Sequence, residues 1–225
     1  MTKFDPHIVL AAVLSAFAVG ILMNIEAVIQ PAYLIKSLWK ILIFSLVVLI
    51  YSGITKEKIP DLLRIRKRFP SGKLILFMVF AYLFILGAYF LLQNQIDLSA
   101  IKSSLFQKEG LTRNNFILIF SYIIVVNSFL EEALFRGFLY TVFADRNHPV
   151  SGALFSSLLF AVYHLGIVFT WFNPLILILC IAGLAGAGLF LQYICIREDN
   201  LLACWFVHAC ANLAINTIGA FMILQ

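Results

Sequence analysis

Charge is what this sequence has least of. Asp, Glu, Lys and Arg together supply 12% of its 225 residues, while 63% are hydrophobic. A soluble domain carries about 25% charged residues, so an ordinary water-soluble domain is excluded. No internal repeat, polar linker or low-complexity tail breaks the chain, which reads as one transmembrane unit over 1–225. The four cysteines, Cys180, Cys195, Cys204 and Cys210, form no C-x-x-C and lie in or beside apolar runs. They read as buried thiols, not as a metal or disulfide framework. No H-E-x-x-H is present, which removes the common zinc-protease helix. The stretch AGLAGAGLF (182–190) is followed by no Lys-Ser or Lys-Thr, so it is not a phosphate loop. Its pairs Ala182/Gly186 and Gly183/Ala187 suit a close helix crossing. The net charge of +5 does not signal nucleic acid, because the basic residues crowd into one loop.

What is there is mostly membrane span. A span needs about 20 predominantly apolar residues. Seven segments qualify: 8–28, 38–54, 74–92, 115–141, 151–171, 175–195 and 201–223. They predict an all-α polytopic membrane protein, a bundle of seven or eight helices around an intramembrane polar cavity. The run from Ile8 to Ile25 follows Lys3 but shows no cleavage site, so it is expected as a retained first helix. Segment 96–109 is too polar to span and predicts a short interfacial helix. Loop 55–73 holds Lys56, Lys58, Arg64, Arg66, Lys67, Arg68 and Lys73, which places it on the cytoplasmic side. There, Leu62, Leu63, Ile65 and Phe69 among the bases suit a helix lying on anionic lipid, or a plain topological anchor. Seven spans then put the N-terminus inside and the C-terminus outside. Lys102, Lys108 and Arg113 in the opposite loop 93–114 run against that orientation, at lower density.

The fourth span contains NSFLEEALFRGFLY (127–140), with Glu131, Glu132 and Arg136 in an apolar setting. A charged residue at a helix centre costs about 2.5–3.5 kcal/mol on insertion scales. Such groups face the bundle interior, pair, and mark function. Helical spacing pairs Glu132 with Arg136 at i, i+4 in the favourable order. Glu131 points elsewhere, one turn beyond Asn127, with no local counter-charge. A desolvated carboxyl of that kind suits general acid–base work, with Asn127 as its supporting partner. The bland reading of Glu132–Arg136 is an ion pair that fixes helix register.

Two further polar pairs share that spacing in later spans: Phe160 and His164, then His208 and Asn212. A lone intramembrane histidine is often only a hydrogen-bond former between helices. Two of them with an unpaired glutamate and an asparagine have catalytic potential. From the cytoplasmic ends of their spans, Glu131 lies roughly 15 Å deep, His208 roughly 10 Å and His164 roughly 20 Å. Convergence in a cavity open to the cytoplasm is the expectation, with His164 the deepest member.

EEALFRG, FAVYH and HACAN resemble the motifs E-E-x-x-x-R, F-x-x-x-H and H-x-x-x-N of the CAAX-protease and bacteriocin-processing (CPBP, or Abi) family. They occur in the family's order on separate spans, within about 115–219. The resemblance implies a glutamate-dependent intramembrane endopeptidase, similar to type II CAAX prenyl endopeptidases, and eight helices, the extra one hidden near 93–111. It implies a membrane-bound peptide or lipidated-protein substrate, membrane lipid as a partner, and the cell membrane of a prokaryote as location. Roles follow from chemistry. Glu131 is the base for water. His164 holds that water and protonates the leaving amine. Asn212, assisted by His208, donates to the oxyanion. Glu132 and Arg136 brace the helix, and Phe160 packs on the imidazole. No cofactor is expected; zinc on Glu131, His164 and His208 is the minority chemistry. A bacteriocin-immunity or scaffold protein without activity is the alternative, and a proton-coupled transporter a weaker one, since no inverted repeat is visible.

Overall fold

The computed structural model describes residues 5–66, 70–169 and 171–224. Lys3, Lys67, Arg68 and Phe69, which entered the topology argument, lie outside the described residues.

Local signals explain most helix ends. The Asp5 side chain accepts from the His7 N–H at 2.8 Å, with Pro6 opening α1 (Pro6–Asn24). Proline at the first helical position costs no hydrogen bond, because that N–H is unpaired anyway. A π turn over Ile25–Ile29 extends α1. Helix α2 (Tyr33–Thr55) ends on Lys56 in the left-handed conformation. A single turn, α3 (Ile59–Leu62), precedes α4 (Leu74–Leu92). Helix α5 (Leu98–Gln107) is capped by Asp97, whose carboxylate accepts from the Ala100 N–H. The Ser99 hydroxyl, and then the Ala100 N–H, hold the Asp97 carboxyl below its usual range. The long α6 spans Phe116–Ala144. It is followed by α7 (Pro149–Val168), α8 (Pro174–Glu198) and α9 (Leu201–Leu224). Pro149 and Pro174 again open their helices.

Seven helices are long and apolar enough to cross a membrane, and no strand occurs among the described residues. The chain is an all-α polytopic membrane protein. The eighth helix expected near 93–111 is not a span: α5 has ten residues, with none buried. Neighbours α7 and α8 pack along each other, as do α4 and α9, while α1 packs on α2 and α7.

The basic loop departs from expectation. Among its described residues the helix is only the single turn α3, and Leu62 is 2% exposed, packed into the main apolar core. It does not lie on lipid through that side chain. The Arg64 carbonyl accepts from the Leu201 N–H at 3.2 Å, and Arg64 Nε donates to Thr141 Oγ1 at 3.0 Å. Gly137 leaves room for this backbone, since a Cβ there would stand 3.1 Å from the Leu63 carbonyl oxygen. Residues 62–64 therefore plug the end of the bundle.

The glycine-rich stretch of α8 also crosses elsewhere than expected. Gly183 and Gly186 have open space around them. The close approach is at Gly188, where a Cβ would meet Ser157 Cβ at 2.9 Å and Arg136 Nη2 at 3.0 Å.

Candidate active site

The site is built on α6. Two π-helical segments, Ile123–Asn127 and Ala133–Leu139, flank the α-helical turn Ser128–Glu132 that carries both glutamates. Such segments inside α-helices often mark functional sites. The carbonyls around the first one are taken by other side chains. Asn212 Nδ2 donates to the Ile123 carbonyl at 3.2 Å, Trp205 Nε1 to that of Val125 at 3.0 Å, and the Ser128 hydroxyl to that of Ile124. Asn216 Nδ2 adds a bond to the Phe120 carbonyl at 3.1 Å. Helix α9 thus clamps the π-helical backbone just before Glu131.

Glu132 and Arg136 form the expected pair at 3.1 Å, both 0% exposed. His208 shares that carboxylate. Its Nδ1 lies 2.7 Å from Glu132 Oε1, and a carboxylate acceptor assigns the proton to Nδ1. Phe160 packs edge-on against His164 with ring centroids 4.5 Å apart, and the Arg136 guanidinium lies 4.1 Å from its centroid. Phe160 therefore braces the arginine as well as the imidazole. The Phe160 carbonyl accepts from His164 Nδ1 at 2.7 Å, so both histidines present Nε2 to the interior.

Both Nε2 atoms face Glu131. Its Oε2 lies 3.6 Å from His208 Nε2 and 4.0 Å from His164 Nε2, and is buried without a hydrogen bond. The three depths inferred from span ends converge because the helices start at different levels. Leu201 is 0% exposed and tied to Arg64. Helix α9 therefore begins inside the protein, which carries His208 deeper than its span length implies.

The expected lack of a counter-charge at Glu131 is corrected. Lys40 of α2 places Nζ in hydrogen-bond contact with Glu131 Oε1 and with Asn127 Oδ1. Asn127 Nδ2 donates to the same Oε1 at 3.0 Å, as its placement one turn away led one to expect. Sequence reasoning sorted charges within single helices and passed over Lys40 in the second span. One turn away, Lys36 bridges Glu26 at 2.9 Å and Glu109 at 2.8 Å.

Asn212 is on the expected face of α9, one turn beyond His208. One of its two N–H groups is committed to the Ile123 carbonyl. The motif residues form a compact buried cluster. Glu131 and His208 side chains are 2% and 7% exposed, and His164, at 17%, is the most open. Toward the basic loop, Phe135, Phe138, Leu139 and Val142 are completely buried.

The atoms a zinc ion would need are Glu131 Oε2 and the two imidazole Nε2. Among the described residues no group of three His, Cys, Asp or Glu closes on one point as a metal centre requires. The Lys40 ammonium on the other carboxylate oxygen also opposes a second cation there.

The carboxylate, two oriented imidazoles and a free buried oxygen between them have the parts for water activation. No match is found among curated proteins or among solved structures. Residues 113–214, which contain all three motifs, match the family model described as type II CAAX prenyl endopeptidase Rce1-like. That segment, a little under half of the chain, is similar to this family.

Proposed function

We propose that the chain is an intramembrane endopeptidase in which Glu131 activates water without a metal. The observation that carries this reading is the buried Glu131 Oε2, unpaired and flanked by two imidazole nitrogens. A water there donates its proton to Oε2, and its oxygen adds to the scissile carbonyl carbon. The carbonyl π electrons move to the oxyanion. Collapse of this tetrahedral intermediate breaks the C–N bond, and the proton passes through Glu131 or His164 to the leaving amine. The second N–H of Asn212 is assigned to the oxyanion. His208 is held in place by Glu132 in the manner of an oriented general base. The Glu132–Arg136 pair keeps that orientation fixed in an apolar interior.

The substrate class is a membrane-associated peptide or a prenylated protein, in keeping with the family. The basic loop 55–73 is assigned to the cytoplasmic side. The test is hydrolysis of a fluorogenic farnesylated peptide with a Cys-aliphatic-aliphatic-X tail, with peptidomics of the native host as a substrate-free screen. Glu131→Gln should abolish cleavage in both while the protein stays folded, because Gln keeps the shape but accepts no proton. Near wild-type cleavage by that variant would remove Glu131 as the base. Dialysis against a strong chelator should leave activity intact. Loss with recovery on added zinc would replace this mechanism by a metal one.

A further inference from the structure

Lys40 lies outside the segment matched to the family, 91 residues from its partner Glu131. A lysine deep in a span is costly and needs a reason. Its side chain is 8% exposed, and it makes two hydrogen bonds, to Glu131 Oε1 and Asn127 Oδ1. The aromatic faces of Tyr163 at 4.7 Å and Phe44 at 5.6 Å flank the ammonium. Asn127 closes the ring by donating to the same Oε1.

The two oxygens of Glu131 are therefore unequal. Oε1 receives both Lys40 and Asn127, while Oε2 receives nothing and faces His164 and His208. We propose that Lys40 is a positioning residue for catalysis: by saturating Oε1 it keeps the carboxylate charged and leaves Oε2 as the one oxygen that takes the proton of water. Without it the carboxylate, left in apolar surroundings with no ammonium, would take up a proton. The family motifs alone would then leave the base unoriented. The inference rests on Glu131 being the base for its catalytic meaning, but the pairing is measurable without turnover.

Infrared difference spectra of purified wild type, Lys40→Met, Glu131→Gln and the double variant read the carboxyl directly. Lys40→Met should show a new protonated-carboxyl C=O band that is absent from wild type and from the double variant. A folded Lys40→Met lacking that band overturns the proposal. If Lys40→Met does not fold, the double variant, which removes both charges, should recover folding. Failure of both would make Lys40 a scaffold residue and overturn the proposal. With the farnesylated peptide, Lys40→Met should lose about 100-fold in kcat, the scale of a misplaced catalytic group. KM should stay within about twofold, since uniform binding is untouched. Lys40→Arg should recover about tenfold of that loss, because it keeps the charge but not the ammonium geometry. Equal kcat in wild type and Lys40→Met would also overturn it. The two readings fail separately. Activity surviving Glu131→Gln removes the base, whereas a missing carboxyl band removes Lys40.

Discussion

The two ends of the bundle are closed by different physics. At the basic-loop end, Leu62, Phe138, Leu139 and Leu201 are buried to 2% or less, and the Arg64 carbonyl ties the loop to α9. At the opposite end, the Lys36 ammonium bridges Glu26 and Glu109, and Trp171 Nε1 donates to Ser104 of α5 at 3.2 Å. The cluster of Glu131, His164 and His208 lies between them. Two turns of packed aromatic and aliphatic side chains separate it from the basic loop, and one turn of α2 separates it from the ion triad. An apolar plug opens only by creating a cavity, whereas an ion triad whose carboxylates are 17% and 20% exposed can exchange partners for water.

The largest effect should come from the buried pair on the plug side. Removing one member leaves an unpaired charge in an apolar interior, typically about 3–5 kcal/mol. Glu132→Ala or Arg136→Ala should therefore lower both stability and activity, with the double replacement milder than either. Simple additivity in a thermal double-mutant cycle would deny the pair. Phe138→Ala, which empties a fully buried site against Tyr51, should cost about 3–5 kcal/mol, read by thermal denaturation in detergent. A loss under 1 kcal/mol would show that this end is not a plug (the margin being well outside the usual cavity cost).

Smaller effects sharpen the other side of the comparison. Gly188→Ala forces a methyl against Ser157 and Arg136 and should cost about 1–3 kcal/mol as overpacking. Gly186→Ala, in open space, should be neutral in the same melt. Glu109→Gln leaves Lys36 paired with Glu26 and keeps an amide acceptor, so it should cost about 1–2 kcal/mol, the scale of one hydrogen bond to a charged group. Its measurable consequence is faster backbone hydrogen exchange in α5 and the start of α6, with no change near Leu62. Uniform exchange at both ends would erase the distinction. Least disruptive are single cysteines for topology in a cysteine-free background. Asp145→Cys and Asp199→Cys should react only with reagents that reach the cytoplasm, and Asn173→Cys from outside. Labelling of Asp145→Cys by an impermeant reagent on intact cells would invert the orientation while leaving the contrast between the ends intact.

What the sequence by itself determined is whatever lies inside one helix. Composition and run length set seven spans, because a bilayer admits only backbone satisfied within its own segment. The i, i+4 rule joined Glu132 to Arg136, Asn127 to Glu131, and Phe160 to His164, since a single helix fixes those distances. Tertiary structure decided everything that crosses between helices. It brought Lys40 to Glu131 and His208 to Glu132, turned Asn212 toward a carbonyl beside a π turn, and chose Gly188 for the close crossing over Gly183 and Gly186. It also packed Leu62 of the basic loop into the core and tied Arg64 to α9, where the charge pattern had left a helix on lipid and a plain topological anchor both open. The reason is rotational and axial freedom. A sequence gives each helix its apolar and polar faces, but not the level at which it starts or the angle at which it meets its neighbour. Those offsets decide which buried charge finds which partner.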